Sequence, residues 1–418
     1  MFRPLLGRVP LSHLWYLLRR MRNERPHRFA GRTRINTFFP PCPSPAFDRF
    51  CRAVIQRRRV PFSTYLAVTS RCPYRCPHCS LAGRAAAEPT HEQALDLIAQ
   101  IKTLGTCTIG FTGGEPMLRD DLEELVAAAG PEMASIVFTT GCGLDDERAR
   151  ALAAAGVACV TVGIESDDPA RQAAVRGEEF AIDDWRLSIE QQSPRKAFRG
   201  HSPPDNPPQI ANRKSQIENS WHAARHAVES CRRAGVYTAI STIATRDKLL
   251  GGELERMHEL GRRWGVGEFR ILAPVATGGW AGCGAEMLSA DEMRALANFH
   301  VRVNRAGRLP AVACFAYLES AELFGCGAGY HHLFIDAAGE VCPCDLTPLS
   351  MGNALERPLA EIWAQMGELF ARPRRGCLMR ELAARIEGPL PVRPDAAREL
   401  CRTCPHDGRL PEGYRRLL

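Results

Sequence analysis

Between residues 62 and 272 the chain repeats one local pattern, which constrains its fold more than any other feature of the sequence. A short run rich in β-branched and apolar residues, typical of a buried strand, is followed by a longer segment with helical periodicity. Thr90 and Gln93 form a predicted capping box for the first helix. The helical segments that precede a strand end at Gly105, Gly130, Gly156, Gly235 and Gly265, as helices with a C-terminal glycine do. The predicted strands are Ser63–Val68, Thr106–Thr112, Ser135–Thr140, Val157–Ile164, Val236–Thr242 and Glu268–Leu272.

Alternating strands and helices predict parallel strands joined by right-handed crossovers, and therefore an α/β protein. Six such units are too few to close an eight-stranded barrel. We predict a partial (β/α)6 TIM-like barrel over residues 62–310, followed by a small cysteine-rich C-terminal domain over residues 312–418. Active-site loops are expected after the carboxyl ends of the barrel strands.

The repeat is interrupted once, where residues 189–220 are polar and rich in proline, serine and asparagine. This composition lacks both helical and strand periodicity, and it predicts a disordered insertion. The alternative is a functional lid over the active site, since long loops often carry function.

Residues 1–61 are predicted to form a basic N-terminal extension. Its first 60 residues hold 14 arginines against Glu24 and Asp48, although the whole chain has a net charge of only +7. Such a segment can bind acidic partners, nucleic acid or anionic lipid. One hypothesis is a short amphipathic helix with weak membrane-surface association, formed by Leu11–Leu18 with Arg19, Arg20 and Arg22. The alternative is a solvated and partly docked arm.

No apolar run is long enough to span a bilayer, and the N-terminus lacks the layout of a secretory signal. We therefore expect a cytoplasmic protein. Its 17 cysteines would then stay reduced and be available to bind metal.

Three of these cysteines, Cys72, Cys76 and Cys79, lie directly after the first predicted strand. Structural zinc sites usually take four ligands from two paired clusters, and only His78 could add a nearby donor. Three thiolates are what a [4Fe–4S] cluster requires when one iron is left open for a substrate or cofactor. The spacing therefore favours such a cluster.

The C-x3-C-x2-C pattern resembles the cluster motif of the radical S-adenosylmethionine (SAM) superfamily, and further motifs follow in the same order as in that family. Thr112–Pro116 resembles the GGEP motif, in which Gly113, Gly114 and Glu115 are implied to contact the amino group of SAM. Thr139–Gly141 is similar to the T-N-G stretch, with Thr140 where asparagine is usual. By the same resemblance, Glu165 and Ser166 are implied to reach the ribose and carboxylate of SAM. Arg176 and Ser241 are the remaining implied SAM contacts. His78 replaces the aromatic residue that many members place before the third cysteine.

The resemblance implies a fold and a reaction. A radical SAM enzyme cleaves SAM reductively at its cluster to a 5′-deoxyadenosyl radical, which abstracts hydrogen from substrate. It requires an external one-electron reductant of the flavodoxin or ferredoxin type. The substrate would be a peptide or a small molecule such as a cofactor or lipid precursor. The alternative is a non-catalytic iron–sulfur protein for electron transfer or sensing. No catalytic acid or base is predicted from the sequence.

The C-terminal segment contains a predicted hairpin, Leu333–Asp336 and Glu340–Pro343, with cysteines at both ends. The spacing of Cys326, Gly339 and Cys344 resembles the start of a SPASM domain, an accessory domain of many radical SAM enzymes. The resemblance implies one auxiliary [4Fe–4S] cluster of an abbreviated kind rather than two. The predicted ligands are Cys326, Cys344, Cys401 and Cys404, with Cys342 and Cys377 as alternates. A structural four-cysteine zinc site is the alternative.

Overall fold

The computed structural model describes residues 7–178, 219–284, 287–405 and 408–415. Among these residues, eleven strands form two sheets. Strands β1 and β2 make a small hairpin, and the other nine make one large sheet. The strands are β1 (His27–Phe29), β2 (Arg32–Arg34), β3 (Ser63–Thr69), β4 (Thr108–Gly113), β5 (Ala134–Thr139), β6 (Cys159–Gly163), β7 (Thr238–Ile243), β8 (Glu268–Leu272), β9 (Ala311–Cys314), β10 (His332–Ile335) and β11 (Val341–Cys342).

The six predicted barrel strands are confirmed as β3 to β8, each within two residues of its predicted ends. They are parallel neighbours in chain order. The α/β fold with a partial TIM-like barrel is therefore confirmed. Both faces of a parallel sheet are covered, which explains why these strands are continuous apolar runs rather than alternating ones.

The helices pack around this sheet, and their local signals agree with the sequence. The capping box of Thr90 and Gln93 is present at the start of the first barrel helix, and Gly105 ends that helix in the left-handed conformation. The helices are α1 (Leu11–Met21), α2 (Pro45–Ile55), α3 (His91–Leu104), α4 (Leu122–Ala129), α5 (Asp146–Ala154), α6 (Pro169–Arg176), α7 (Ser220–Arg233), α8 (Arg246–Leu250), α9 (Glu253–Trp264), α10 (Ala290–Arg305), α11 (Phe315–Leu318), α12 (Leu359–Leu369), α13 (Leu378–Leu382) and α14 (Pro394–Arg402).

Three further strands extend the sheet beyond the six predicted barrel strands. Strand β9 pairs with β8, and β10 pairs in parallel with β3 at the opposite edge. The predicted hairpin is present as antiparallel β10 and β11. Residue 312, the predicted start of the cysteine-rich domain, falls inside β9, which is an edge strand of the large sheet. Periodicity cannot show this, since strand pairing across the sheet is a long-range property.

The N-terminal segment is docked against the barrel. The Thr37 hydroxyl donates to Glu268 at 2.6 Å and accepts from Arg270, both on β8. Nearer the N-terminus, the Asn23 side chain donates to the Tyr317 hydroxyl at 2.8 Å. These contacts agree with the expectation of a partly docked extension.

Most of the predicted insertion at residues 189–220 lies outside the described residues. Its last residue, Ser220, begins α7 with Asn219 as the N-cap. Within the described part of the chain, no helix combines the length and apolar character needed to cross a membrane.

Candidate active site and auxiliary metal centre

The three-cysteine loop leaves the carboxyl end of β3 and brings its thiols together. Burial and the neighbouring Glu115 carboxylate raise the pKa of Cys72, and the Cys76 and Cys79 thiols add to this. Burial also raises the pKa of Cys79, again with a contribution from Cys76. The three thiols therefore share one space, as ligands of a common metal group must.

Glycines on two other loops hold this loop in place. A Cβ on Gly113 would lie 2.2 Å from the Thr69 carbonyl oxygen, and one on Gly114 would lie 2.1 Å from that of Arg71. On the opposite side, a Cβ on Gly278 would lie 2.1 Å from the Cys79 carbonyl oxygen. The Gly279 N–H donates to the same oxygen at 2.9 Å. Side chains at these positions would displace the cysteine loop.

Arg176 lies at the inner side of the loop. Its guanidinium donates to the Cys76 sulfur at 3.4 Å and to the Gly163 carbonyl oxygen at 2.6 Å. Burial alone would lower the pKa of Arg176, but the neighbouring Cys76 and Glu165 outweigh the effect of burial and raise it. Arg176 is therefore a permanent cation in contact with the sulfur of Cys76.

Glu115, the acidic residue of the GGEP motif, is fully buried. Its carboxylate accepts from the Thr139 hydroxyl at 2.7 Å, from the Thr140 backbone N–H at 2.7 Å and from the Thr140 hydroxyl. Burial raises its pKa, although these hydrogen bonds oppose the shift. Glu115 thereby joins the ends of β4 and β5, which explains why polar residues follow both strands.

Glu165, at the end of β6, is surrounded by positive charge. It accepts from the Lys248 ammonium at 2.8 Å and from the Thr242 hydroxyl at 3.0 Å, and its other oxygen lies 3.6 Å from His78 Nε2. Burial alone would raise the pKa of Glu165, but Lys248, His78 and Arg176 together lower it. The group is therefore an anion inside the protein.

The adjacent serine has a different environment. The Ser166 hydroxyl donates to Glu253 at 2.6 Å, so it is already engaged by α9. Ser241 on β7 lines an interior cavity of about 340 Å³. Other lining residues come from the strands, the N-terminal segment and the cysteine-rich segment, and include Thr112, Tyr65, Arg270, Phe38, Phe324 and Cys326.

The C-terminal cysteines form two groups. The Cys377 thiol lies against Cys326, and Cys344 is close enough to Cys326 for their charges to interact. Cys326, Cys344 and Cys377 all line the cavity. His332, Cys344 and Asp345 also hold possible ligand atoms within 4.8 Å of one another.

The second group contains Cys401 and Cys404. Arg374 donates to the Cys404 sulfur at 3.5 Å, and its carbonyl oxygen accepts from the Cys326 N–H at 2.8 Å. Arg374 therefore connects the two groups. Cys342, by contrast, is packed with Phe334, and its sulfur lies 3.5 Å from the Arg84 guanidinium.

Two family models match the chain: the radical SAM superfamily over residues 66–184 and an iron–sulfur cluster-binding SPASM domain over residues 326–405. This chain is a radical SAM enzyme. Its reaction class is the reductive cleavage of SAM to a 5′-deoxyadenosyl radical that abstracts hydrogen from a substrate.

Two curated relatives match the chain over most of its length. The PqqA peptide cyclase of Streptomyces rochei is 29% identical over 355 residues, which is 82% of each chain. The AdoMet-dependent heme synthase of Nitratidesulfovibrio vulgaris is 24% identical over 322 residues, covering 71% of this chain and 77% of the relative.

Solved structures show the same fold. Streptococcus suis SuiB bound to S-adenosylmethionine matches with a TM-score of 0.56 at 14% identity, covering 80% of this chain and 78% of SuiB. The protein anSMEcpe with bound AdoMet matches with a TM-score of 0.54 at 13% identity, covering 85% of this chain and 97% of anSMEcpe. At these identities the likeness establishes the fold of the radical SAM enzyme described here.

The residues present in this radical SAM enzyme fit the cofactors that its family implies. Three partly buried thiols that share one space, next to the permanent cation of Arg176, suit an iron–sulfur cluster with an open iron. The thiols of Cys326, Cys344 and Cys377 suit an auxiliary cluster in the same way.

Sequence reasoning missed two features of this site. The first is the buried contact of Lys248, which is 8% exposed, with Glu165. A lysine on a short helix gives no sequence signal that it is buried. The Gly278–Trp280 turn was also missed, although two consecutive glycines after a strand end suggest a close backbone approach. The Trp280 ring lies 5.7 Å from the His78 ring, so this turn covers the cysteine loop.

Proposed function

We propose that this enzyme modifies a peptide substrate that binds in the interior cavity. The observation that carries the proposal is the extent of this cavity, which reaches from Thr112 and Ser241 near the barrel strand ends to Cys326 and Cys344. A substrate there would lie beside Cys326, Cys344 and Cys377 and within the barrel. The peptide class is supported by the PqqA peptide cyclase, which matches over most of both chains.

The ligands of the catalytic [4Fe–4S] cluster are Cys72, Cys76 and Cys79 in this proposal. SAM would be held at the strand ends, by the residues named from the family motifs: Gly113, Gly114, Glu115, Thr140, Glu165, Ser166, Arg176 and Ser241. When bound, the cluster and SAM supply the radical that abstracts hydrogen. The Glu165 anion is the group best placed to orient a polar part of SAM, because Lys248 fixes it at 2.8 Å.

The chain itself provides charge balance and exclusion of water. The Arg176 cation lies against the Cys76 sulfur and can balance the negative charge of a bound cluster. The aromatic side chains that line the cavity, including Phe38, Phe138 and Phe315, keep the reaction space apolar. A radical that can react with any nearby C–H bond requires such a closed, ordered environment.

For the auxiliary cluster, we propose Cys326, Cys344 and Cys377 as three ligands and the Cys401–Cys404 pair as the source of the fourth. The proximity of Cys377 to Cys326 supports its inclusion, and the contacts of Cys342 with Phe334 and Arg84 argue against that alternate. The enzyme would operate in the cytoplasm, where the thiols stay reduced and a flavodoxin- or ferredoxin-type protein supplies the electron.

The test of the SAM chemistry is anaerobic reconstitution followed by assay of 5′-deoxyadenosine. The parent protein with a strong reductant should form it, and Cys76→Ala should abolish it. Cys283→Ala is the matched control, because Cys283 is exposed and outside both cysteine groups. Parent-rate cleavage by Cys76→Ala would contradict the assignment of the catalytic cluster.

The test of the substrate class uses peptides encoded beside the gene, synthesised with deuterium on carbon. Deuterium in the 5′-deoxyadenosine and a mass change in the peptide would support peptide modification. Transfer of deuterium only from a labelled small molecule made by a neighbouring biosynthetic operon would contradict it.

A further inference from the structure

Helix α1 presents an apolar stripe to solvent. Five large apolar side chains of the described residues are strongly exposed, and three of them lie on this helix: Leu11 at 78%, Trp15 at 61% and Leu18 at 53%. With 3.6 residues per turn, these three positions fall within an arc of about 60°. The stripe is therefore one continuous face rather than scattered residues.

The inner face of α1 fixes the helix on the protein. Leu14 is buried against Phe47 and Cys51, and the Tyr16 hydroxyl donates to the Glu322 carbonyl oxygen at 2.5 Å. Leu17 lines the interior cavity. These inward contacts hold the helix on the protein without the outer stripe. The exposed apolar stripe is therefore available to bind a partner.

The charge around the stripe indicates what that partner is. No acidic residue precedes Glu24, while Arg8, Arg19 and Arg22 are all exposed. Arg22 falls on the same arc as the stripe, and the Arg19 guanidinium lies 5.5 Å from the Trp15 ring centre. Leucine and tryptophan beside arginines are typical of a helix that lies in the interface of an anionic bilayer.

We propose that the outer face of α1 binds the surface of an anionic lipid bilayer. Leu11, Trp15 and Leu18 would enter the boundary between headgroups and acyl chains, and the arginines would contact lipid phosphates. The helix has only 11 residues, so the proposed association is peripheral and reversible. Since the opposite face of α1 lines the cavity, binding would place one wall of the cavity beside the membrane.

The experiment is co-sedimentation of the full chain with vesicles under anaerobic conditions. Vesicles of phosphatidylcholine with phosphatidylglycerol should bind the protein, and vesicles of phosphatidylcholine alone should bind it at least tenfold more weakly. The triple variant Leu11→Ser/Trp15→Ser/Leu18→Ser and the double variant Arg19→Glu/Arg22→Glu should each lower binding by roughly tenfold or more.

Matched controls carry the same chemical changes elsewhere on the surface. Leu250→Ser removes an apolar side chain that is 72% exposed, and Arg263→Glu/Arg308→Glu makes the same change in net charge as the arginine variant of α1. Both controls should bind vesicles as the parent does. All variants change exposed residues, and unchanged circular dichroism and iron content would verify that they fold.

Three results would overturn the proposal: no binding to the anionic vesicles, equal binding to neutral ones, or an equal loss of binding in the controls. Sedimentation velocity provides a further test. If the parent is a dimer that the triple serine variant dissociates, the stripe is a contact between copies of the chain, and the lipid proposal is wrong.

Discussion

Replacing Gly114 by alanine tests the structural account of the active site most directly. In the structure, the new Cβ would lie 2.1 Å from the backbone carbonyl oxygen of Arg71. Arg71 immediately precedes Cys72. Reaching an ordinary contact requires a shift of about 1 Å, and it disrupts the hydrogen bond from the Glu115 N–H to the same oxygen, which is 2.7 Å long.

The cost follows from these two effects. A lost backbone hydrogen bond contributes about 1 kcal/mol, and forced overpacking about 1–3 kcal/mol, so the loop is disfavoured by about 2–4 kcal/mol. Such a shift moves Cys72 away from the other two thiols. We therefore expect Gly114→Ala to lose about four irons per chain after reconstitution, the content of one cluster, together with 5′-deoxyadenosine formation.

The control is Gly284→Ala, because a Cβ there meets nothing within 4 Å and the backbone is not left-handed. It should keep the parent iron content and activity. Full iron content in Gly114→Ala, with SAM binding lost, would refute the loop-packing account and would show that the glycine serves SAM directly.

Two further predictions concern the buried charge and the auxiliary ligands. Lys248→Met should destabilise the protein by about 3 kcal/mol, measured by chemical denaturation, because it leaves Glu165 as a buried anion with weaker compensation. The double variant Lys248→Met/Glu165→Gln should recover part of that stability, and failure to do so would contradict the buried ion pair. Cys377→Ser should lose the auxiliary cluster by iron analysis, whereas Cys342→Ser should keep it. The reverse result would exclude Cys377 as a ligand.

The sequence predicted the features that depend on neighbouring residues along the chain. Strands β3 to β8 follow from apolar runs, and the end of α3 at Gly105 follows from glycine's access to the left-handed region. The cysteine loop could also be predicted from the sequence, because Cys72, Cys76 and Cys79 lie within one short segment. In each case the determining interaction spans only a few residues.

The tertiary structure decided which distant residues meet. The attachment of β10 to β3 joins positions 332 and 63, and the proximity of Cys377 to Cys326 depends on the fold of the whole C-terminal segment. The pairing of Lys248 with Glu165 spans 83 positions and results from α8 folding back over the end of β6. Local periodicity cannot specify such contacts, because they arise from burial and from long-range packing in the complete sheet. That packing overrides the local secondary-structure propensity of the residues.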